Sequence, residues 1–443
     1  ILAQAPLKIQ DHAQPAGMRA AMLSKARTEV FALGRRYHPR GSQCHFQARC
    51  FAAQGCGSRS PPAGTAASGG AQQPSNLRGV KHIVAVASGK GGVGKSSIAV
   101  NLAYLLAKRP GTTVGVLDAD IYGPSLPLLL PPKVKGVFGT ESGGIEPVMY
   151  EGVSLMSMGY VRPGEHAAIR GPMVSAMVQQ LLIQTEWGGL DYLIIDMPPG
   201  TGDIHLTVAQ SAPVDAAVVV STPQALAIAD VEKGISMFNA VSIPTIAVAE
   251  NMSFFVSGSC GTESALFGEP GRSRRVAERF GVPAFVQLPL DPALSRGGEV
   301  EPLVRDPMRS NSMLAARLED LAEAVVREVG LLKRGAVRRS LVSAVSDSAS
   351  GRAMLELRSE SVDGTVSRRP LAARAARLAC RSAAMWDEWT NEKKFREEDI
   401  ALDVRPTKIT PAGTYAVNIN WSDGHSSLMS FAALEEVVAA EGM

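Results

Sequence analysis

An α/β fold built on a parallel sheet is what this sequence predicts, and three observations predict it. Short apolar runs rich in β-branched residues recur between residues 80 and 330, without the polar alternation of a strand that keeps one face in water. Segments with helically spaced apolar residues lie between them, and alternating strand and helix gives a parallel sheet covered on both faces. A glycine-rich turn, residues 89–96, joins the first run to the first helical segment.

The first buried strand is residues 83–88 (IVAVAS). Residues 95–108 follow as a helix, with Ile98, Leu102, Leu105 and Leu106 on one face, and Pro110 and Gly111 end it. Residues 113–117 form the next strand, and 192–195, 216–220, 245–249 and 284–288 repeat the pattern. Residues 224–239 read as a helix with Leu226, Ile228, Val231, Ile235 and Phe238 on its apolar face. Residues 312–329 read as a closing helix, with Leu314, Leu318, Leu321, Val325 and Val329 in register. A basic, Ser/Ala-rich linker is expected over 331–349. A small, mainly-β unit is expected over 350–443. There residues 353–357 and 415–421 alternate like half-buried strands, Asp423 and Gly424 signal a turn, and Trp386, Trp389 and Trp421 supply bulk.

Residues 1–79 have a different character. They hold ten Lys/Arg against two acids, Asp11 and Glu29. An Arg-rich, acid-poor segment reads as a transit peptide, with Arg49-Cys50-Phe51-Ala52-Ala53 resembling a processing site; the alternative is a disordered basic tail. Over the whole chain the net charge is only +3, which gives no bulk electrostatic argument for a nucleic-acid partner. No stretch approaches the ~20 apolar residues of a membrane span. Five cysteines in 443 residues, an odd and sparse set, point away from a disulfide framework and toward a reducing compartment.

Gly89-Lys90-Gly91-Gly92-Val93-Gly94-Lys95-Ser96 fits G-x-x-x-x-G-K-[ST] between a strand and a helix, the context that makes this motif a P-loop. Its glycines let backbone N–H groups face phosphate oxygens, and the helix N-terminus adds its positive end. The expected nucleotide contacts are Gly89, Gly91, Gly92, Val93, Gly94, Lys95, Ser96 and Ser97. Lys95 would place its charge on the β/γ-phosphates of ATP and Ser96 would ligate Mg²⁺. Asp196 ends an apolar strand and reads as the Walker B acid, holding Mg²⁺ through water. Pro198-Pro199-Gly200-Thr201-Gly202-Asp203 behind it reads as a switch loop, although Asp203 alone is equally a helix cap. Asp118 and Asp120 form the neighbouring edge.

A second lysine inside the loop, Lys90, marks the deviant Walker A of the ParA/MinD class. In that class the early lysine reaches the nucleotide of a partner subunit, which implies an ATP-gated homodimer; the bland alternative is a solvated loop lysine. By analogy with the class, Asp120 orients the attacking water, Asn251 reads the adenine and the segment around Pro289 closes over the base. The resemblance to that class implies a catalytic set of Lys90, Lys95, Asp120 and Asp196, and a slow ATP hydrolase whose chemistry acts as a gate.

Further motifs occur in order: Asp118-Ala119-Asp120-Ile121-Tyr122-Gly123-Pro124-Ser125, Arg170-Gly171-Pro172-Met173, Asp196-Met197-Pro198-Pro199-Gly200-Thr201-Gly202-Asp203 and Glu250-Asn251-Met252. Together they resemble the Mrp/ApbC (Nbp-type) family of iron–sulfur cluster carrier ATPases over about residues 80–330. Val404-Arg405-Pro406, Tyr415-Ala416-Val417 and Trp421-Ser422-Asp423-Gly424-His425 are similar to the small domain shared with the N-terminal part of γ-butyrobetaine hydroxylase. That pairing is a feature of the family's chloroplast high-chlorophyll-fluorescence scaffold subgroup.

The resemblance implies an ATP-dependent carrier of [4Fe–4S] clusters. It would work as a homodimer with client apoproteins and upstream assembly proteins as partners, in the mitochondrial matrix or plastid stroma. Two departures accompany it. Many relatives carry Cys-x-x-Cys after the Asn-Met, where this chain has Ser257-Gly258-Ser259-Cys260. Cys260 is then one candidate cluster ligand, or a plain loop cysteine. Relatives also hold zinc in the small domain with three cysteines and a histidine. Here the corresponding residues are Cys380, Ser382, Met385 and His425, so zinc is not expected. Cys380 is a second candidate cluster thiol, or a small buried hydrophobe. Two other functions stay open. One is a ParA/MinD-like spatial organiser, which would call for a basic amphipathic C-terminal helix where residues 431–443 are acidic. The other is an adaptor ATPase that has lost its cluster.

Overall fold

The computed structural model describes residues 75–441, apart from 132–136, 138, 164–170, 258–259, 292–311, 335–338, 347–350, 361–364, 383–384 and 387–392. The transit-like segment with Cys44, Cys50 and Cys56, Arg170, Pro292 and Trp389 lie outside the described residues.

A central eight-stranded sheet runs in the order β10-β7-β6-β1-β5-β2-β4-β3. Its strands are β1 (Val80–Ser88), β2 (Val114–Asp118), β3 (Val148–Tyr150), β4 (Val153–Ser157), β5 (Leu190–Asp196), β6 (Ala216–Ser221), β7 (Thr245–Glu250) and β10 (Ala284–Gln287). All neighbours pair in parallel except β3 and β4, which form an antiparallel edge. A short hairpin, β8 (Phe255–Val256) with β9 (Glu263–Ser264), stands apart from the sheet.

Alternation along each strand divides the core into two layers. Val84, Val86, Val116, Ile194, Val218 and Ile246 pack on one face with helix α1 (Lys95–Ala107). Ile83, Ala85, Leu117, Leu193, Ile195 and Val248 pack on the other. Helices α2 (Gly171–Gln184), α3 (Asp203–Ser211), α4 (Ala225–Ala240) and α5 (Arg272–Phe280) contribute to that second face. Helix α6 (Met313–Lys333) closes the first face with Leu314, Leu318, Leu321, Val325 and Val329, and Ser312 caps it by accepting a hydrogen bond from the Ala315 N–H at 3.2 Å. Burying side chains on both faces, at about 1.5–3 kcal/mol for each Val, Ile or Leu, is what holds a parallel sheet together.

The expected strands and helices of the ATPase part are all present, with ends shifted by a few residues. Two expectations need correction. Leu226 is 81% exposed, because it sits in the first turn of α4, at the carboxyl edge of the sheet where no layer covers it. The stretch expected as a linker, 331–349, begins inside α6 and contains strand β11 (Arg339–Ser346). That strand pairs along its whole length with β12 (Ala353–Glu360), so the backbone polar groups on its inner edge are satisfied by a ladder.

The C-terminal part holds two antiparallel three-stranded sheets. One is β11-β12-β13 (Val366–Ala372), and the other is β14 (Pro406–Pro411), β15 (Ala416–Trp421) and β16 (Ser426–Ser430). Asp423 and Gly424 lie in the turn between β15 and β16 as expected, with Gly424 at φ 83°. Helices α7 (Ala373–Leu378) and α8 (Phe431–Glu441) pack with these sheets around Leu355, Leu371, Cys380, Ile419, Trp421 and Leu434. This part sits against the ATPase sheet's second layer: Leu428 joins that core, and Asn239 at the end of α4 donates to the Ala412 carbonyl at 3.4 Å.

Candidate functional site

The carboxyl ends of β1, β5 and β2 meet at the P-loop. Gly94, the residue before α1, has φ +84°, a left-handed backbone that favours glycine; a Cβ there would also lie 2.3 Å from Asn251 Nδ2. At Gly89 a Cβ would lie 2.2 Å from Asp230 Cβ, so α4 packs directly on the loop. Gly91 and Gly92 face open space, which leaves room for a phosphate in the cradle.

Lys95 is buried, and its ammonium donates to Asp196 Oδ1 at 2.5 Å and to Ser96 Oγ at 3.3 Å. Asp196 Oδ2 is buried and has no hydrogen-bond partner. Burial raises the Asp196 carboxyl above its usual range, and the Lys95 ammonium pulls it back. A buried carboxylate oxygen without a donor, beside a serine hydroxyl at the start of a helix, is the donor set a hard divalent cation takes together with its waters. The residues present therefore fit Mg²⁺, with Ser96 and Asp196 as the groups that would hold it.

The switch segment after β5 is tied to β1. Met197 N–H donates to the Val86 carbonyl and Gly200 N–H to the Ser88 carbonyl, each at 2.9 Å. Asp118 is fully buried and accepts from the N–H groups of Asp120, Ser125 and Leu126 and from Ser157 Oγ, so it organises the loop that carries Asp120. Burial, with the Asp196 charge second, pushes Asp118 up to about 7. Asp120 is half-buried and accepts from Gly123 N–H at 3.0 Å. It faces a cleft of about 460 Å³ lined also by Tyr122, Gly123, Pro198, Pro199, Gly202, Asp203 and His205. His205 is buried in the first turn of the helix that follows this loop, a position that no sequence motif singles out.

Lys90 is held within its own chain, where its ammonium donates to Gln224 Oε1 just before α4. Asn251 donates from Nδ2 to the Val93 carbonyl of the P-loop at 2.8 Å, so here it props the loop itself. Pro289 is buried, and its neighbour Leu288 is tied by backbone hydrogen bonds to Glu250 and Ser253. Glu250, fully buried, accepts from Ser253 Oγ and from the N–H groups of Gly271 and Ser273. It thereby fixes the root of the β8–β9 hairpin. Cys260 is exposed in the turn of that hairpin, and Ser257 is half-buried where the turn leaves β8.

Cys380 is brought elsewhere. It is buried in the C-terminal part, with Sγ 3.3 Å from His425 Nε2 and with Ser382 Oγ 3.4 Å from the same nitrogen. Met385 Sδ accepts instead from the Arg377 guanidinium at 3.3 Å, and Arg377 pairs with Asp423 at 2.9 Å. Burial lowers the His425 imidazole below its usual range, and the Arg377 charge adds to that. One thiol, one imidazole, a hydroxyl and a thioether beside a cation do not make a zinc donor set.

The NUBPL iron-transfer P-loop NTPase family model matches residues 79–326, and the γ-butyrobetaine hydroxylase-like N-terminal family model matches residues 360–435. The chain is 43% identical, over 82% of its length, to a chloroplastic Fe-S cluster assembly factor, HCF101, of Oryza sativa subsp. japonica. It is 50% identical, over 48% of its length, to an iron-sulfur cluster carrier protein of Haemophilus influenzae. It spans 66% and 58% of those two relatives, less than two thirds of each. A mitochondrial iron-sulfur protein required for NADH dehydrogenase, of Arabidopsis thaliana, is 42% identical over 59% of this chain and 83% of the relative. On this footing the chain belongs to the NUBPL iron-transfer P-loop NTPase family.

Proposed function

We propose that this protein is an ATP-dependent carrier that receives [4Fe–4S] clusters and transfers them to client apoproteins, working as a nucleotide-gated homodimer. The observation that carries the reading is a continuous connection from phosphate site to thiol. The Val93 carbonyl of the P-loop accepts from Asn251, and Asn251 adjoins Glu250, which fixes the root of the hairpin that presents Cys260. A nucleotide that reshapes the P-loop acts on that root directly.

In this reading Lys95 leaves Asp196 to engage the β/γ-phosphates. Ser96 and Asp196 are then the groups that would hold Mg²⁺, which would neutralise charge on the phosphates. Asp120 orients the attacking water, and Lys90, released from Gln224, reaches the nucleotide of a second copy. Adenine recognition falls to the Asn251 carbonyl oxygen and the Pro289 segment. The cluster is cargo: each copy offers the Cys260 thiolate, and groups other than cysteine complete its coordination. Cys380, enclosed against His425, would serve only after the C-terminal part opened. That part would dock a client. The relatives named chloroplastic and mitochondrial support an organellar location, matrix or stroma.

Anaerobic reconstitution followed by iron and acid-labile sulfide analysis tests the reading. About four of each per dimer are expected, and Cys260→Ala should lose them. A chain that binds ATP but no cluster would favour the adaptor reading instead, which the serine at position 257 supports.

A further inference from the structure

Three apolar side chains stand in solvent near Lys90. Leu226, in the first turn of α4, is 81% exposed, and Leu266 and Phe267, just past β9, are 54% and 37% exposed. The two segments meet at Gly268, where a Cβ would lie 2.5 Å from the Pro223 carbonyl oxygen, so the backbone next to Phe267 packs on the residue before Gln224. Gln224 is the residue that holds the Lys90 ammonium. Apolar side chains gathered beside a charged site mark a contact surface, unlike apolar residues exposed singly. Of the acids nearby in sequence, Glu269 is paired with Arg272 at 3.9 Å, and Asp230 is half-buried against Gly89.

The other side of the P-loop is complementary. The cleft of about 460 Å³ has apolar walls in Tyr122, Pro198, Pro199 and Ile204, and it carries two acids, Asp120 and Asp203. The sheet order fixes where patch and cleft lie. Strand β6, which leads to Leu226, flanks β1 on one side, and β5 and β2, which lead to the cleft, follow on the other. Neighbouring strands are about 4.8 Å apart, so each feature is offset from the P-loop strand by one or two strand spacings, in opposite directions. A two-fold axis through the P-loop exchanges those sides and sets the patch of each copy against the cleft of the other.

We propose that the patch of Leu226, Leu266 and Phe267 on each copy docks into the Asp120 cleft of a second copy, with Leu226 as the anchor between Tyr122 and Pro199. The occupant is a second copy because both halves of the contact, apolar knob and acid-rimmed apolar cleft, are present on one chain. Docking closes the cleft over Asp120 with the partner's side chains, and it carries Lys90 toward the acids. The inference rests on the homodimer reading above and names the surfaces that meet in it.

Sedimentation velocity of the full chain with Mg·ATP, beside thermal melting and Mg·ADP affinity, tests it with Leu226→Glu, Asp203→Arg and the double substitution. Position 226 is exposed in the single chain, so Leu226→Glu should keep a Tm and an Mg·ADP affinity near wild type. Its dimerisation should weaken at least about tenfold, because the new carboxylate meets the acids of the second copy's cleft. Adding Asp203→Arg should bring dimerisation back to within about threefold of wild type, a coupling expected of residues that face each other. Wild-type dimerisation of Leu226→Glu would overturn the inference and leave the patch to another protein. A loss that Asp203→Arg does not recover would overturn it too, since the patch would then meet some other surface. A wild-type chain that stays monomeric with Mg·ATP would instead overturn the homodimer reading itself.

Discussion

Lys95 and Asp196 show how little of this site is left to chance at the level of single residues. The two charges are buried together, and each would be costly alone. Asp118 is the third buried member of the group, and its raised value makes it a pH-dependent element of stability. The unfolded chain releases this proton near pH 4, whereas the folded chain keeps it to about 7. The folded state thus binds more protons across that window, and the contribution to stability falls as pH rises through it. The Tm advantage of wild type over Asp118→Asn should shrink between about pH 4 and 7; an advantage that grows with pH would contradict the assignment. The placement of the loop residues, Asp196 and Asp120 at the carboxyl edge of the sheet is legible in the sequence because each follows a short apolar strand. The tie from Asn251 to Val93 and the burial of His205 are not, because both depend on how separate loops meet in space.

Among the elements, α4 carries the most consequence. Its N-terminal approach holds Lys90 through Gln224, its middle backs Gly89 at Asp230, and its last turn reaches Ala412 through Asn239. If Gln224 restrains Lys90, then Gln224→Ala should strengthen ATP-dependent self-association by roughly fivefold, the worth of about one hydrogen bond. Sedimentation velocity with ATP reads this, and unchanged or weaker association would mean that Gln224 restrains nothing. The parallel strands stand out in the sequence because burial on both faces leaves uninterrupted apolar runs. The edge strand β3 is only three residues long, and two serines interrupt the apolar run of its neighbour β4 (VSLMS), so both escape notice. Strand β11 hides in a basic, serine-rich stretch because an edge strand of a small antiparallel sheet needs a partner more than a hydrophobic run. Leu226 has helical spacing but no neighbour to cover it, since periodicity says nothing about where a layer ends.

At the scale of the whole molecule, the C-terminal part packs against the ATPase layers at Leu428 and at the end of α4. Gly413 has φ +76°, and a Cβ there would lie 2.1 Å from Asn239 Oδ1. Gly413→Val should loosen this contact and expose the C-terminal part to limited proteolysis while ATP binding persists; an unchanged digestion pattern would place the main contact elsewhere. In the proposed carrier cycle, a change at the P-loop would pass along α4 to the C-terminal part and through Asn251 to the Cys260 hairpin. Cluster transfer tests that account most directly. A reconstituted chain, wild type or Lys95→Ala, is mixed anaerobically with an apo-[4Fe–4S] acceptor, with and without Mg·ATP, and the acceptor's recovered activity is followed over time. Faster transfer with Mg·ATP in wild type, and no acceleration in Lys95→Ala, is the predicted result. Equal rates under all four conditions would contradict the account, because the P-loop would then have no part in moving the cluster.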